Sequence, residues 1–380
     1  MTSQDGSRTR PWRDYALALA LVLATSALVH GPRFAGNMHR HHWEDWRFFR
    51  HARQHLNSPL DCFTHEGPWP GLYRPISTNL YYLCARWAFG TNIEAYHVVN
   101  AVLFTANALL LFAIARLLLP FPWPFLPPVL FVSRIAHYQV LLYTSEIQAL
   151  LSTLFALACI SWFLSASLRP SRTRDALALI ALLLGLLSKE SVVIVPAVLT
   201  AHGLVVERPW RWRRYAALWA LTAAWLAAYV VVRHRVGGGA PTGYAYDLSW
   251  SIVGRYAAYE LSFLNVLVAP IDSAEMASRV MALSGHAWLS VLLALVSVAA
   301  VAAGVRAARR EGSSRVATSA AVLGLAWFAF GMMPFVCFAD RLFGRYTYFG
   351  HAGLALVVAG MARLLADAVR QRGMALRDAH

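Results

Sequence analysis

Residues 175–206 read DALALIALLLGLLSKESVVIVPAVLTAHGLVV. Two apolar runs, 175–188 and 191–206, are joined by Ser188-Lys189-Glu190. At 1.5 Å rise per residue the first run covers roughly 21 Å, short of a ~30 Å hydrocarbon core. A turn carrying a lysine and a glutamate is therefore expected to lie recessed in a cavity below the membrane surface. The plainer reading is an interfacial turn whose lysine snorkels to water.

The same texture extends over the whole chain. Apolar runs fall near 14–31, 96–119, 126–143, 147–168, 175–188, 191–206, 213–233, 286–305, 316–338 and 346–366, which makes ten candidate spans. The chain is 58% hydrophobic and 14% charged, against about 25% charged in soluble domains. An all-α polytopic membrane protein follows, one transmembrane domain over 1–380 with no soluble repeat domain. The first run follows Arg8, Arg10 and Arg13 but lacks a convincing small-residue cleavage site, so it reads as a retained helix.

The net charge of +15 suggests nucleic acid only if the protein is soluble. Here the basic residues cluster after alternate spans. They are the N-terminal arginines, Arg116, then Arg169/Arg172/Arg174, Arg208/Arg211/Arg213/Arg214, Arg306/Arg309/Arg310/Arg315 and Arg363/Arg370/Arg372/Arg377. The positive-inside rule puts all six groups, and both termini, in the cytoplasm. Two long connections then face outward, 32–95 and 234–285. The second holds an amphipathic stretch, Trp250 to Val268, whose Arg255, Glu260 and Asn265 suit an interfacial helix.

The unusual polar residues gather on that outer face. Glu44 and Asp45 stand in Trp43-Glu44-Asp45-Trp46 of the first outer loop, which Arg74-Pro75 closes. His137, Gln139 and Glu146 flank the junction of the third and fourth spans, Lys189 and Glu190 that of the fifth and sixth, and Asp340, Arg341 and Arg345 that of the last two. Ionisable groups at membrane depth mark functional sites by default. Each also has a structural reading: a solvated acidic pair, a core histidine, an aromatic-belt anchor. His39, His41, His42, His51, His55 and His65 invite a metal reading, but no HExxH and no cysteine at ligand spacing accompanies them. Of Cys62, Cys84, Cys159 and Cys337, the first two share one outer segment, where a disulfide and two free thiols are both open readings.

The order of short motifs resembles a known family. Tyr73-Arg74-Pro75-Ile76-Ser77 leads through Phe89-Gly90 to Tyr96-His97-Val98-Val99-Asn100. His137-Tyr138-Gln139, Ser145-Glu146, Leu150-Leu151-Ser152, Leu187-Ser188-Lys189-Glu190-Ser191 and Pro196 follow, then Ala339-Asp340-Arg341 and Arg345-Tyr346-Thr347-Tyr348. Together they resemble the membrane part of the tetratricopeptide-linked O-mannosyltransferases and their bacterial relatives, in the GT-C superfamily of lipid-phospho-sugar glycosyltransferases. The chain departs from that pattern in three places. Glu44 stands where the family's acidic pair usually begins with Asp, His137 keeps one histidine of a His-Pro-x-His-x-Glu pattern, and Asp340-Arg341 is separated from Arg345-Tyr346.

The resemblance implies a bacterial inner-membrane, mannosyltransferase-like enzyme. It would move a sugar from a polyprenyl-phosphate donor to an acceptor hydroxyl on the extracytoplasmic face, with inversion. Such a reaction needs a carboxylate base and cations for the departing phosphate. Glu44 and Asp45 are the catalytic candidates. Lys189, Arg345, Arg74 and Arg341 are the donor-phosphate candidates; Glu190, Glu146, His137 and Gln139 are candidates for orienting the acceptor. Motif register favours Glu44 as base and residue type favours Asp45. No metal ligand is assigned, although some superfamily members use a divalent cation. The sugar and the acceptor (glycan, lipid or protein) stay open. The rival readings are a transporter or flippase of a lipid-linked saccharide and a catalytically inactive GT-C relative.

Overall fold

The computed structural model describes residues 11–69, 72–207, 211–235, 246–249, 251–263, 315–338 and 344–377. Among them the chain is helical throughout, apart from one isolated bridge between Tyr246 and Phe338. The eighth apolar run, most of the second long connection, and Asp340 and Arg341 lie outside the described residues.

In chain order, α1 is Pro11–Asn37, α2 Trp43–His55, α3 Asp61–Thr64, α4 Tyr81–Phe89 and α5 Ile93–Leu118. Next come α6 Leu126–Val132, α7 Tyr138–Leu142, α8 Ile147–Leu168, α9 Arg172–Leu186, α10 Val195–Val206, α11 Trp212–Arg235 and α12 Ser251–Phe263. We number the last two α13, Arg315–Val336, and α14, Thr347–Arg377. Six segments of the described chain are long and apolar enough to cross a membrane. They match the first, second, fourth, seventh, ninth and tenth runs of the sequence.

The third run is not one straight span. Its two halves, Trp123–Val132 and Ile135–Leu142, meet at a bend of 57°. At the bend the Val132 carbonyl accepts from His30 Nε2 at 2.9 Å, and past the end of α7 Asn100, buried on α5, collects the last carbonyls. Its side-chain amide donates to the carbonyls of Val140 and Leu141 at 3.4 Å and of Tyr143 at 3.1 Å. With no water in hydrocarbon, a broken helix survives only when its freed groups find such partners.

Local chemistry sets the helix ends. Asn92 caps α5 by accepting the N–H of Glu94 at 3.2 Å, and Ser171 caps α9 by accepting that of Arg174 at 3.4 Å. α9 stops at Gly185, whose carbonyl accepts both the Ser188 and Lys189 N–H groups at 3.0 Å. A 3₁₀ turn, Glu190–Ile194, then enters α10, with Pro196 in its first turn. The fifth and sixth runs are thus two short helices around a charged turn.

The core runs along α5, α8, α13 and α14. Asn107 of α5 donates to the Leu150 carbonyl at 3.1 Å and to the Tyr348 hydroxyl at 2.9 Å, tying three helices together. α13 and α14 cross at Gly324 and Gly353. A Cβ on Gly324 would lie 2.4 Å from the Gly353 carbonyl oxygen, and one on Gly353 would lie 2.5 Å from that of Gly324. Small residues permit such approach between membrane helices.

A second, smaller cluster joins α2 and α4 around Phe48, Leu56, Cys62, Tyr82, Tyr96 and Ile147. A π-helical turn, Pro75–Leu80, fastens this lobe to the end of α9. The Ile76 N–H donates to the Leu187 carbonyl at 3.2 Å and the Ser77 hydroxyl to that of Ser188. This contact brings the first loop to the Lys189 turn.

α12 forms inside the stretch expected to lie flat at the interface, but it does not leave Arg255 exposed. That side chain is buried, donating to the Val336 carbonyl at 2.5 Å and to the Asp247 carboxylate at 3.0 Å. All four cysteines are free; Cys62 is buried and Cys84 exposed.

Candidate functional site

The acidic pair opens α2, and its two members go separate ways. His42 is the N-cap residue, with Asp45 three positions on. Asp45 Oδ2 accepts the His42 N–H at 2.7 Å, the reciprocal half of a capping box. Its Oδ1 accepts the Thr144 N–H at 3.1 Å and the Thr144 hydroxyl at 2.7 Å. Asp45 is fully buried. Both of its oxygens therefore serve to dock the start of α2 on the loop before α8.

Glu44 points instead toward a cluster of charges. Its Oε2 accepts the Ser145 hydroxyl at 2.9 Å and faces Arg345 Nη1 at 3.3 Å. The same Nη1 lies 3.2 Å from Glu146 Oε1, so one guanidinium nitrogen bridges two carboxylates. Arg345 is oriented from behind as well, because its N–H donates to Gln139 Oε1 at 3.2 Å. The Glu44 side chain keeps 12% of its surface accessible.

The second half of the cluster comes from the α9–α10 turn. Arg74, at the N-cap of the π turn, holds both oxygens of Glu190 and also donates to Gln148 Oε1. Gln148 in turn donates to the Ser145 carbonyl at 2.9 Å, joining the two halves. Lys189 lies in the same field, with electrostatic influence from Glu146, Arg74, Glu190 and Arg345. Among the described residues its ammonium has no carboxylate within ion-pair distance, and its recorded contact is the Phe335 ring, 5.9 Å from the centroid. Burial lowers its pKa below the usual lysine value, against the opposing pull of Glu146 and Glu190.

Three glutamates and three cations, drawn from sequence positions 44 to 345, thus meet in one place. His137 is not among them. It is fully buried against Phe104, Phe131 and Tyr348, with Nε2 3.1 Å from His351 Nδ1. Gln139, from the same motif, reaches the site through the backbone of Arg345. Ser145 and Gln148 belong to the network and were not among the residues singled out for chemistry. Ser145 stood in the quoted motif beside Glu146; no spacing rule pointed to Gln148.

Arg345 occupies the position between Glu44 and Glu146, and among the described residues no three His, Cys, Asp or Glu side chains are disposed to hold a metal. The His51 and His55 rings lie tilted with centroids 5.1 Å apart, with no third ligand at hand among those residues. Burial lowers the pKa of His51 to about 4.

The overall arrangement of helices is shared with a solved membrane-protein structure, a likeness of fold. One similar solved structure is the archaeal oligosaccharyltransferase AglB from Archaeoglobus fulgidus in complex with an inhibitory peptide and a dolichol-phosphate, at a TM-score of 0.53 and 11% identity. The likeness covers 99% of this chain and 52% of that one, so this chain spans about half the length of AglB. No family model matches the sequence, and no curated protein matches it.

Proposed function

We propose that this protein is an integral-membrane glycosyltransferase. It takes a sugar from a polyprenyl-phosphate donor and passes it to an acceptor hydroxyl on the extracytoplasmic face. The arginine pattern supports that sidedness, with both termini in the cytoplasm, and the motifs support a bacterial inner membrane and a mannose-like hexose. The observation that carries the proposal is the convergence of Glu44, Arg345, Glu146 and Lys189 on one partly accessible cluster, in a fold shared with an oligosaccharyltransferase.

Glu44 is the base in this reading, because Asp45 has both oxygens committed to α2 and Thr144. The acceptor hydroxyl gives its proton to the Glu44 carboxylate as its oxygen bonds to the anomeric carbon. The bond from that carbon to the phosphate oxygen breaks with the electron pair leaving on phosphate. One displacement inverts the anomeric configuration. Lys189 meets the charge gathered by the phosphate, and Arg345 shares it. Drawing Arg345 toward the phosphate also loosens its hold on Glu44, which frees that carboxylate to face the acceptor hydroxyl. Arg74, gripped by Glu190 and Gln148, positions the Lys189 turn and carries the donor-phosphate role less directly. Glu146 orients Arg345, Gln139 holds its backbone, and Glu190 anchors Arg74. Arg341 remains a phosphate candidate from the sequence alone.

The test is transfer by purified protein from a panel of radiolabelled polyprenyl-phosphate hexoses into acceptors of the host membrane. Wild-type protein is expected to transfer label from at least one donor, and Glu44→Gln to bind that donor without transferring it. Equal transfer by the variant removes the assignment of Glu44. Movement of the intact donor across vesicles without transfer supports a transporter instead.

A further inference from the structure

The structure also holds a hollow that the transfer reading does not use. It lies between α2 and α4, with a volume of about 790 Å³. Trp46, Arg50, Arg53, Gln54, Arg86 and Thr91 are among the residues that line it. Trp46, Arg50 and Arg53 follow helical spacing along one stripe of α2. At about 100° per residue, Glu44 points roughly the opposite way. The hollow is thus on the far side of α2 from the charge cluster.

Its electrostatics are one-sided. Three guanidiniums line it and, among the described residues, no carboxylate does. Among the described residues none of these arginines is ion-paired, and Arg86 has one nitrogen fixed by donating to the Ala52 carbonyl at 2.8 Å. A concave surface lined by one sign of charge concentrates counter-charged ligands. Guanidinium forks hold carboxylates through two hydrogen bonds.

Phe49, Ala52, Tyr82 and Gly90 also line the hollow, and the groups beside them suit a polyhydroxylated body. Gln54 offers an amide and Thr91 a hydroxyl. Trp46 is 51% exposed, and its indole is held by stacking on His41 at 4.5 Å between centroids. The volume lies within the ~300–1,000 Å³ of small-molecule pockets and exceeds what a bare phosphate fills. We propose that this hollow is a second binding site, which takes an acidic saccharide: carboxylates on Arg50, Arg53 and Arg86, hydroxyls on Gln54 and Thr91, and a sugar face or edge on Trp46.

Direct binding to the full-length protein in detergent tests this without relying on transfer. The probes are tetragalacturonate, maltotetraose, inorganic phosphate and phosphatidylglycerol vesicles. Tetragalacturonate is expected to bind at least tenfold more tightly than maltotetraose or phosphate. The double variant Arg50→Gln/Arg53→Gln is expected to weaken it at least tenfold, whereas Arg169→Gln leaves it unchanged. Both α2 side chains are exposed, so the variant is expected to melt as wild type does. Equal binding of maltotetraose, equal binding of phosphate, or an unaffected double variant each overturns the proposal. Displacement of the saccharide by phosphatidylglycerol vesicles overturns it in favour of a lipid headgroup. Glu44→Gln is expected to bind tetragalacturonate normally, which keeps this proposal and the transfer reading separately testable.

Discussion

The helix pair α8–α9 carries a buried charge cluster at each end, and the two are built differently. At one end stands the Glu44–Arg345–Glu146 and Arg74–Glu190 network, with Lys189 beside it. At the other, Arg214 of α11 donates to Asp175 Oδ1 at 3.1 and 2.8 Å, to the Ser167 hydroxyl at 2.6 Å and to the Phe163 carbonyl at 2.9 Å. Its guanidinium also covers the Phe163 ring, 4.3 Å from the centroid. α8 has 22 residues, so the clusters are about 33 Å apart along its axis. The Arg214 cluster is a closed clasp, with the donors of one cation spent on the ends of two neighbouring helices. The Glu44 cluster has a cation bridging two carboxylates and, among the described residues, a lysine without an ion pair. A clasp of the first kind holds loops together; a cluster of the second kind has charge to lend to a ligand. Ion pairs alone do not distinguish structure from function; the state of their donors does.

The sharpest way to break this comparison is Glu44→Gln. Loss of a general base costs about 10²–10⁴-fold in rate. Transfer from the best polyprenyl-phosphate donor should fall by that factor, with the melting temperature in detergent close to wild type. A variant that melts early and keeps its specific rate makes Glu44 another structural clasp. Lys189→Met comes next. Removing one donor to a developing anion costs about 10²–10³-fold, and donor affinity should weaken along with rate. Because burial lowers the Lys189 pKa, the cation is lost as pH rises through a value below the ordinary lysine range near 10.4. Transfer should therefore show an alkaline limb, and Lys189→Arg should move that limb to higher pH. A limb at the same pH in Lys189→Arg assigns it to another group.

Asp45→Asn and Arg214→Ala should resemble each other, although Asp45 is adjacent to the proposed base and Arg214 is at the opposite end of α8. Each removes hydrogen bonds to a charged group, worth about 1–3 kcal/mol in stability. Some discount applies to Arg214, whose partner Asp175 is 38% exposed. Thermal melts should shift down in both, and the rate per folded molecule should hold within a few-fold. If Asp45→Asn instead abolishes transfer at unchanged stability, Asp45 takes part in the chemistry beside Glu44.

Much of the fold was legible because hydrophobic run length is a local property. The fourth run, 147–168, coincides with α8, and the short fifth and sixth runs appear as α9 and α10 around the Lys189 turn. The bend in the third run was not legible. The Val132 carbonyl freed there is satisfied by His30, a residue 102 positions away. The site was legible as a set of residue types on one face, because charges in an apolar chain stand out. Their roles were not. Glu44 and Asp45 are adjacent, and what separates them is whether Thr144 or Arg345 lies opposite. His137 stands out equally in the sequence and is buried against His351, a pairing 214 positions apart that no local pattern encodes.

The smallest effect is expected at the clasp itself. Glu207 Oε1 lies 4.0 Å from Arg214 Nη1, beyond hydrogen-bond reach, while Asp175 takes the close contacts. A double-mutant cycle of Glu207→Gln with Arg214→Ala should therefore give a weaker coupling than one of Asp175→Asn with Arg214→Ala. Transfer should be unchanged, since nothing in the clasp touches the Glu44 cluster. If Glu207→Gln lowered the specific rate tenfold at constant melting temperature, the two ends of α8–α9 would be coupled through the helix pair. The contrast between a closed clasp and a lending cluster would then describe two states of one machine rather than two separate devices.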